Sequence, residues 1–310
     1  MFSKVSNKTL VAILLVLITV WGVSTFISKM NKESNFSIPE VEIDSAKISR
    51  ISITGKTDNY LPVVFEKSET TWKIVKDNTN VEADENSVQS FISMLRNFKI
   101  TRLAAKSKEK WNDFQVTDSL GTRLSVFQEN EKVLDVIIGK FGFQQRSGIS
   151  YIRFVDDDKV YALDGFIAMT INQGFNSWRN KVVVKSEKTN WNKLKFNYSD
   201  SSFVLIKVAN RWEIEGSSVD SILVENYFTQ LSSLTHGNFE DNFTEPQNPT
   251  YQLEISGDNM DSSIRLKAYQ KNDNDYIVNS SQNKEANFKF SSQDIFSKLF
   301  VSKRSFVSEQ

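Results

Sequence analysis

Cysteine is absent from the 310 residues, which excludes disulfides, thiolate metal sites and a cysteine nucleophile. The absence does not identify a compartment, since exported bacterial proteins often lack cysteine as well. Histidine occurs once, at 236, so a zinc site would lack the further nitrogen or sulfur ligands that it needs. Charge of one sign is missing too: 38 basic residues face 38 acidic ones, and no global field draws the chain toward nucleic acid or another polyanion. No G-x-x-x-x-G-K-[ST] loop is present, so any nucleotide hydrolysis must belong to a partner. Long apolar runs are lacking throughout, with one exception.

That exception is Thr9 to Ile27, TLVAILLVLITVWGVSTFI, nineteen residues without a charge. At helical rise it just crosses a hydrocarbon core of roughly 30 Å, and it reads as a transmembrane helix. A cleaved signal peptide is the rival reading. It calls for a shorter apolar stretch and a small-x-small cleavage site, whereas Trp21 and Phe26 stand where the small residues belong. Lys4 and Lys8 precede the run, and Lys29, Lys32 and Glu33 follow it, a mild charge bias to which the amino terminus adds. Residues 1–8 are therefore expected as a cytoplasmic tail, 9–27 as a single-pass anchor in the bacterial inner membrane, and 28–44 as an exposed tether. The body is expected on the periplasmic or extracytoplasmic side.

Roughly 265 residues remain beyond the anchor, enough for one large or two ordinary domains. With 23 Phe, 8 Tyr and 6 Trp they have the material for real cores. Internal repetition favours two. Lys47–Ile53 alternates apolar and polar residues as a half-buried strand does, and Leu61–Lys67 and Trp72–Val75 follow it. About 140 residues later the order recurs as Asn190–Phe196, Phe203–Val208 and Arg211–Glu215.

A helix follows each set. Asp84 is placed to cap the first, with Val88, Phe91, Ile92, Leu95 and Phe98 on one face. Asp220 is placed to cap the second, with Val224, Tyr227, Phe228, Leu231 and Leu234 as its stripe and Gly237 to end it. Hairpins come next, around Glu129–Glu131 and around Asn272–Asn274, and each copy closes with a strand leading into a short helix, where Asp164 and Ser292 are placed as caps. The expected fold is α+β: a transmembrane helix, then two tandem repeats over 45–178 and 179–310, each a mainly antiparallel sheet with one packed helix. Their junction lies near Gln173–Lys185.

Several patterns resemble the bacterial family DUF4340. They are the N-terminal membrane helix, V-x-F-x-K…W-x-I over Val63–Ile74 with the helix after it, and L-x-V-I-I-G-K over Leu134–Lys140. Further along come S-Y-I-R-F…K-V-Y-A-L-D over Ser150–Asp164 and W-R-N-K over Trp178–Lys181. The resemblance covers 45 to about 185, with the second half as a weaker copy. It implies an accessory subunit associated with ABC-type export systems, including those linked to gliding motility. It implies no catalytic residues.

The residues themselves give little chemistry. His236 could centre a Ser-His-Asp triad, but it stands at an expected helix end beside Gly237, where an imidazole commonly caps carbonyls. Ser107–Lys110 and Ser281–Lys284 fit Ser-x-x-Lys, yet both lie in polar connections where a lysine stays solvated and protonated. Asp156–Asp158 and Asn272–Asp275 could gather oxygens around calcium but lack the glycine and distal Glu of a complete loop. Lys106, Lys108 and Lys110, with Glu109 among them, read as a solvated linker. Trp72 and Trp212 occupy matching strand positions and suit core anchors better than a stacking platform. Trp178 and Arg179 either fasten the halves together or face a partner.

No catalytic, cofactor-binding or metal-ligating residue is therefore assigned, and no cofactor is expected. The reading is a non-enzymatic, membrane-anchored accessory or scaffold protein whose partners are the lipid bilayer, through residues 9–27, and other transporter subunits. An envelope glycan- or peptide-binding module is the alternative, and a hydrolase stands third.

Overall fold

The alternating segments fold into two antiparallel sheets, one from each half of the chain, because alternation gives every strand one apolar face to bury. The computed structural model describes residues 7–32, 38–69, 71–144, 147–291 and 295–308; within the first helix, side chains are described over 13–25. Residues 1–6 of the expected tail, 33–37 of the tether, and Ser292 lie outside the described residues.

The amino-terminal unit, residues 1–40, contains α1 (Asn7–Lys32), and every side chain described in that helix is exposed. Among the described residues, no helix is long and apolar enough to cross a membrane. The described side chains of α1 cover thirteen residues, about 20 Å of helix at 1.5 Å per residue.

The second unit, residues 41–310, holds both sheets. The first contains β1 (Ile48–Thr54), β2 (Val63–Ser68), β3 (Thr71–Lys76), β4 (Thr79–Glu82), β5 (Ile100–Ala105), β6 (Thr122–Gln128), β7 (Glu131–Gln144), β8 (Ser147–Phe154) and β9 (Val160–Asp164). Their order across the sheet is β4-β3-β2-β1-β6-β7-β8-β9-β5. The second contains β10 (Trp191–Tyr198), β11 (Ser202–Val208), β12 (Arg211–Ile214), β13 (Ser217–Ser218), β14 (Tyr251–Gly257), β15 (Ile264–Gln270), β16 (Asp275–Ser280) and β17 (Asn283–Ser291), in the order β13-β12-β11-β10-β14-β15-β16-β17. Apart from β5, the two orders correspond strand for strand.

Register corresponds as well. Ile51 pairs with Phe65 and Val126, and Leu194 pairs with Leu205 and Ile255. Each central strand breaks register near its start, between Ile48 and Arg50 against β6 and between Trp191 and Lys193 against β14.

The helices are α2 (Glu85–Arg96), α3 (Trp111–Phe114), α4 (Ile167–Ile171), α5 (Ser221–Leu231) and α6 (Phe296–Leu299). Both expected caps form. Asp84 accepts from the Ser87 amide at 2.8 Å, and Asp220 accepts from the amides of Ile222 and Leu223. Val88, Phe91, Ile92 and Leu95 are buried on α2, as are Val224, Tyr227, Phe228 and Leu231 on α5. Phe98 and Leu234 are also buried, each just past its helix.

One expected terminator and one expected cap fail. Helix α5 ends at Leu231, well before Gly237, because the chain turns away to pair with the junction: the amides of Val183 and Val184 both donate to Leu234 O, and the His236 amide donates to Lys181 O. Asp164 does not cap α4, since it is the last residue of β9 and the N-cap position falls to Phe166, which makes no side-chain cap bond.

Candidate functional site

The candidate site is the junction, because it touches both halves and carries the largest buried charge shared between them. Backbone pairing sets its path. Arg179 bridges to Ala83 beside the end of β4, the Asp84 amide donates to Trp178 O at 2.7 Å, and the Asn180 amide donates to Glu82 O at 2.9 Å. Three residues on, Val182 bridges to Thr235 in the second half. Trp178 closes a short turn over Phe175–Ser177 with helical backbone, and the chain becomes extended only from Arg179, so the two side chains leave in different directions. Trp178 enters the first core, 5.2 Å from the Phe65 ring and 5.3 Å from Phe91. Arg179 turns toward the second half.

There its guanidinium lies 3.8 Å from the centre of the Phe239 ring and 5.5 Å from that of Phe175, and Nη1 pairs with Asp241 at 2.8 Å. Only 1% of Arg179 is exposed, against 37% of the Asp241 side chain. Burial lowers the Arg179 pKa below the ordinary guanidinium value, and Asp241 opposes that shift. Nη2 is buried and has no hydrogen-bond partner among the described residues. A second tie joins β3 to β17, where Glu285 accepts from Lys73 Nζ at 3.0 Å and from the Glu82 amide at 2.8 Å. The junction can hold two sheets in register; it brings no nucleophile and base together.

The other candidates go elsewhere. His236 stacks on Phe290 at 3.9 Å, and its Nε2 lies 2.8 Å from Lys289 O. Lys110 pairs with Asp113 at 2.9 Å while Ser107 bonds Glu109, so that serine and lysine do not meet. Ser281 Oγ accepts from the Arg265 amide. Asp157 accepts from the Tyr161 hydroxyl and the Lys159 amide, and Asp158 pairs with Lys108. Asn272 closes its own turn by accepting from the amides of Asn274 and Asp275. Among the described residues, no three His, Asp or Glu side chains are grouped to hold a metal ion.

Trp72 is buried, and Trp212 is half-buried, edge-on to Phe228 at 4.9 Å. Neither forms an exposed platform.

Sequence reasoning missed Arg153, read only as part of S-Y-I-R-F. It is buried beneath Trp111 at 3.9 Å, donates to the carbonyls of Val116, Phe154 and Val155, and pairs with Asp118. The signal was faint: alternation sets Arg153 on the sheet face opposite Ile152, where an Arg is buried only if another segment, here Trp111 to Val116, covers that face. Asp241, by contrast, has no pattern that announces it.

Fold and junction together define a class, an α+β body of two antiparallel sheets stitched along one buried segment. The chain belongs to DUF4340, a family described as a domain of unknown function, whose model matches residues 72–254. The match opens in β3 and closes in β14, so it starts later than the expected 45 and runs well past 185, spanning the junction. No curated protein and no solved structure matches the chain.

Proposed function

We propose that this chain is a non-enzymatic accessory or scaffold protein, anchored by the helix over residues 9–27 in the bacterial inner membrane, with its body on the periplasmic or extracytoplasmic side. The observation that carries this reading is α1. From residue 13 to 25 all described side chains are exposed, and nine of them are large and apolar, on every side of the helix. A helix apolar all round belongs in a core or a bilayer, and the uncharged run extends beyond the described side chains to Thr9 and Ile27.

The body is read as two tandem repeats, 45–178 and 179–310. Matching strand order, matching register breaks and matching aspartate caps support that reading. Assembly with the subunits of an ABC-type transporter follows from the family resemblance, and the scaffold role from the direction in which the would-be catalytic groups point. Trp72 and Trp178 are buried and Trp212 is half-buried, so these three tryptophans offer a glycan- or peptide-binding module no open stacking platform.

The test is affinity purification of the tagged full chain from native membranes in mild detergent. Transporter subunits should accompany it in constant proportion. Recovery of the lone chain, or of a processed form in the soluble fraction, would overturn the proposal.

A further inference from the structure

We infer that the outer edge of β5 takes an extended, acidic segment of a partner protein as an added strand. The inference deepens the scaffold reading above and rests on it for the source of that segment. Strand β5 stands last in the first sheet, and among the described residues β9 is the one strand paired with it. A sheet edge of this kind is a template for another chain.

The second half holds the same edge with its cover in place. Past α5 the chain returns beside β17 as it returns past α2 beside β9: Phe239 bridges to Phe288 where Leu103 pairs with Tyr161, and Leu234 is buried where Phe98 is. The outer side of that returning segment is covered by the junction. The Val183 and Val184 amides donate to Leu234 O, Val182 bridges to Thr235, and the His236 amide donates to Lys181 O. Val183 and Val184 are fully buried by this pairing. Opposite charges accompany it, because Arg179 of the covering segment meets Asp241 at the far end of the covered one. Among the described residues, no such segment pairs with the outer side of residues 98–105.

Charge selects the occupant. From Ser87 to Lys108 the chain has no acidic residue. Arg96, Lys99, Arg102 and Lys106 are exposed, and among the described residues none of the four stands in an ion pair, whereas Lys108 and Lys110 beyond them are held by Asp158 and Asp113. Like charge opposes a second copy of the same edge, and an acidic strand neutralises it. The occupant is therefore a charge-reversed counterpart of the junction segment: extended, β-branched, and acidic where the junction carries Arg179 and Lys181.

The test is amide hydrogen exchange of the full chain in detergent, read by mass spectrometry over residues 98–105, with synthetic peptides at millimolar concentration as probes. The acidic probe is Glu-Asn-Glu-Val-Val-Val, capped at both ends; the basic one is Arg-Asn-Lys-Val-Val-Val, the sequence of the junction itself. The acidic peptide should slow exchange over 98–105 by at least about threefold, and the basic peptide should leave it unchanged. In the double variant Lys99→Glu, Arg102→Glu, at two exposed positions, the preference should reverse. Exchange at β5 as slow as at β7 before any peptide is added means that the edge is already covered, and overturns the inference. So does protection by neither peptide, protection by both alike, or a preference that survives the charge reversal. Copurification plays no part in this assay, so a lone chain from native membranes together with selective protection of β5 sinks the transporter reading and leaves the added strand standing.

Discussion

Arg179 and Asp241 meet across the boundary between the two halves, Nη1 to carboxylate at 2.8 Å, with the guanidinium held between the rings of Phe175 and Phe239. The arginine is wholly buried and its partner is not. Truncating the arginine and replacing it by an apolar chain should therefore differ.

Arg179→Ala removes the stacked stem and the charge pair together and leaves a cavity, and is expected to cost about 3 kcal/mol. Arg179→Met fills the same space without the unpaired Nη2, and should lie within about 1 kcal/mol of the parent. Urea unfolding of the full chain in detergent checks both. Equal losses in the two variants would show that the ion pair, not the packing, holds the junction.

Asp135 joins β6 to β7, accepting from Arg123, Lys132 and Ser125. Burial alone would raise its carboxyl, but these hydrogen bonds outweigh it and hold the pKa at about 2, below the ordinary 3.8. A depressed folded-state pKa adds stability that is complete above 3.8 and lost as pH falls toward 2. Asp135→Asn should thus cost about 1–2 kcal/mol near neutral pH, part of the shift being screened by solvent. The gap between variant and parent should close on acidification through that window. A gap independent of pH would place the effect in packing.

Gly257 faces Trp191 where β14 breaks register with β10. A Cβ there would sit 1.8 Å from Asn190 O, which already accepts from the Asp258 amide at 2.8 Å. Backbone cannot retreat as a flexible side chain can, so Gly257→Ala is expected to cost about 3 kcal/mol. Gly142, with nothing within 4 Å of its added Cβ, should accept Ala with a change of about 0.5 kcal/mol or less. Thermal unfolding of the pair separates close approach from a general effect of losing glycine.

Strands and helices were legible in the sequence wherever burial of one face leaves a period. The strand at Lys47–Ile53, the stripes on the helices after Asp84 and Asp220, and the hairpins at 129–131 and 272–274 all form where alternation or helical spacing puts them. The stop at Gly237 and the cap at Asp164 did not, because both depend on where the neighbouring chain runs. The candidate site was half legible. W-R-N-K marked the junction, yet nothing local says that Trp178 and Arg179 part to opposite sides.

The amino-acid sequence by itself determined the periodicities, the caps and the one uncharged apolar run, since each follows from interactions a few residues long. Only the tertiary structure decided that Arg179 finds Asp241, that Arg153 is covered by Trp111, and that Phe143 stays open while Trp72 is enclosed. Those outcomes join positions tens of residues apart, and their energies exist only once the sheets have brought the groups within contact.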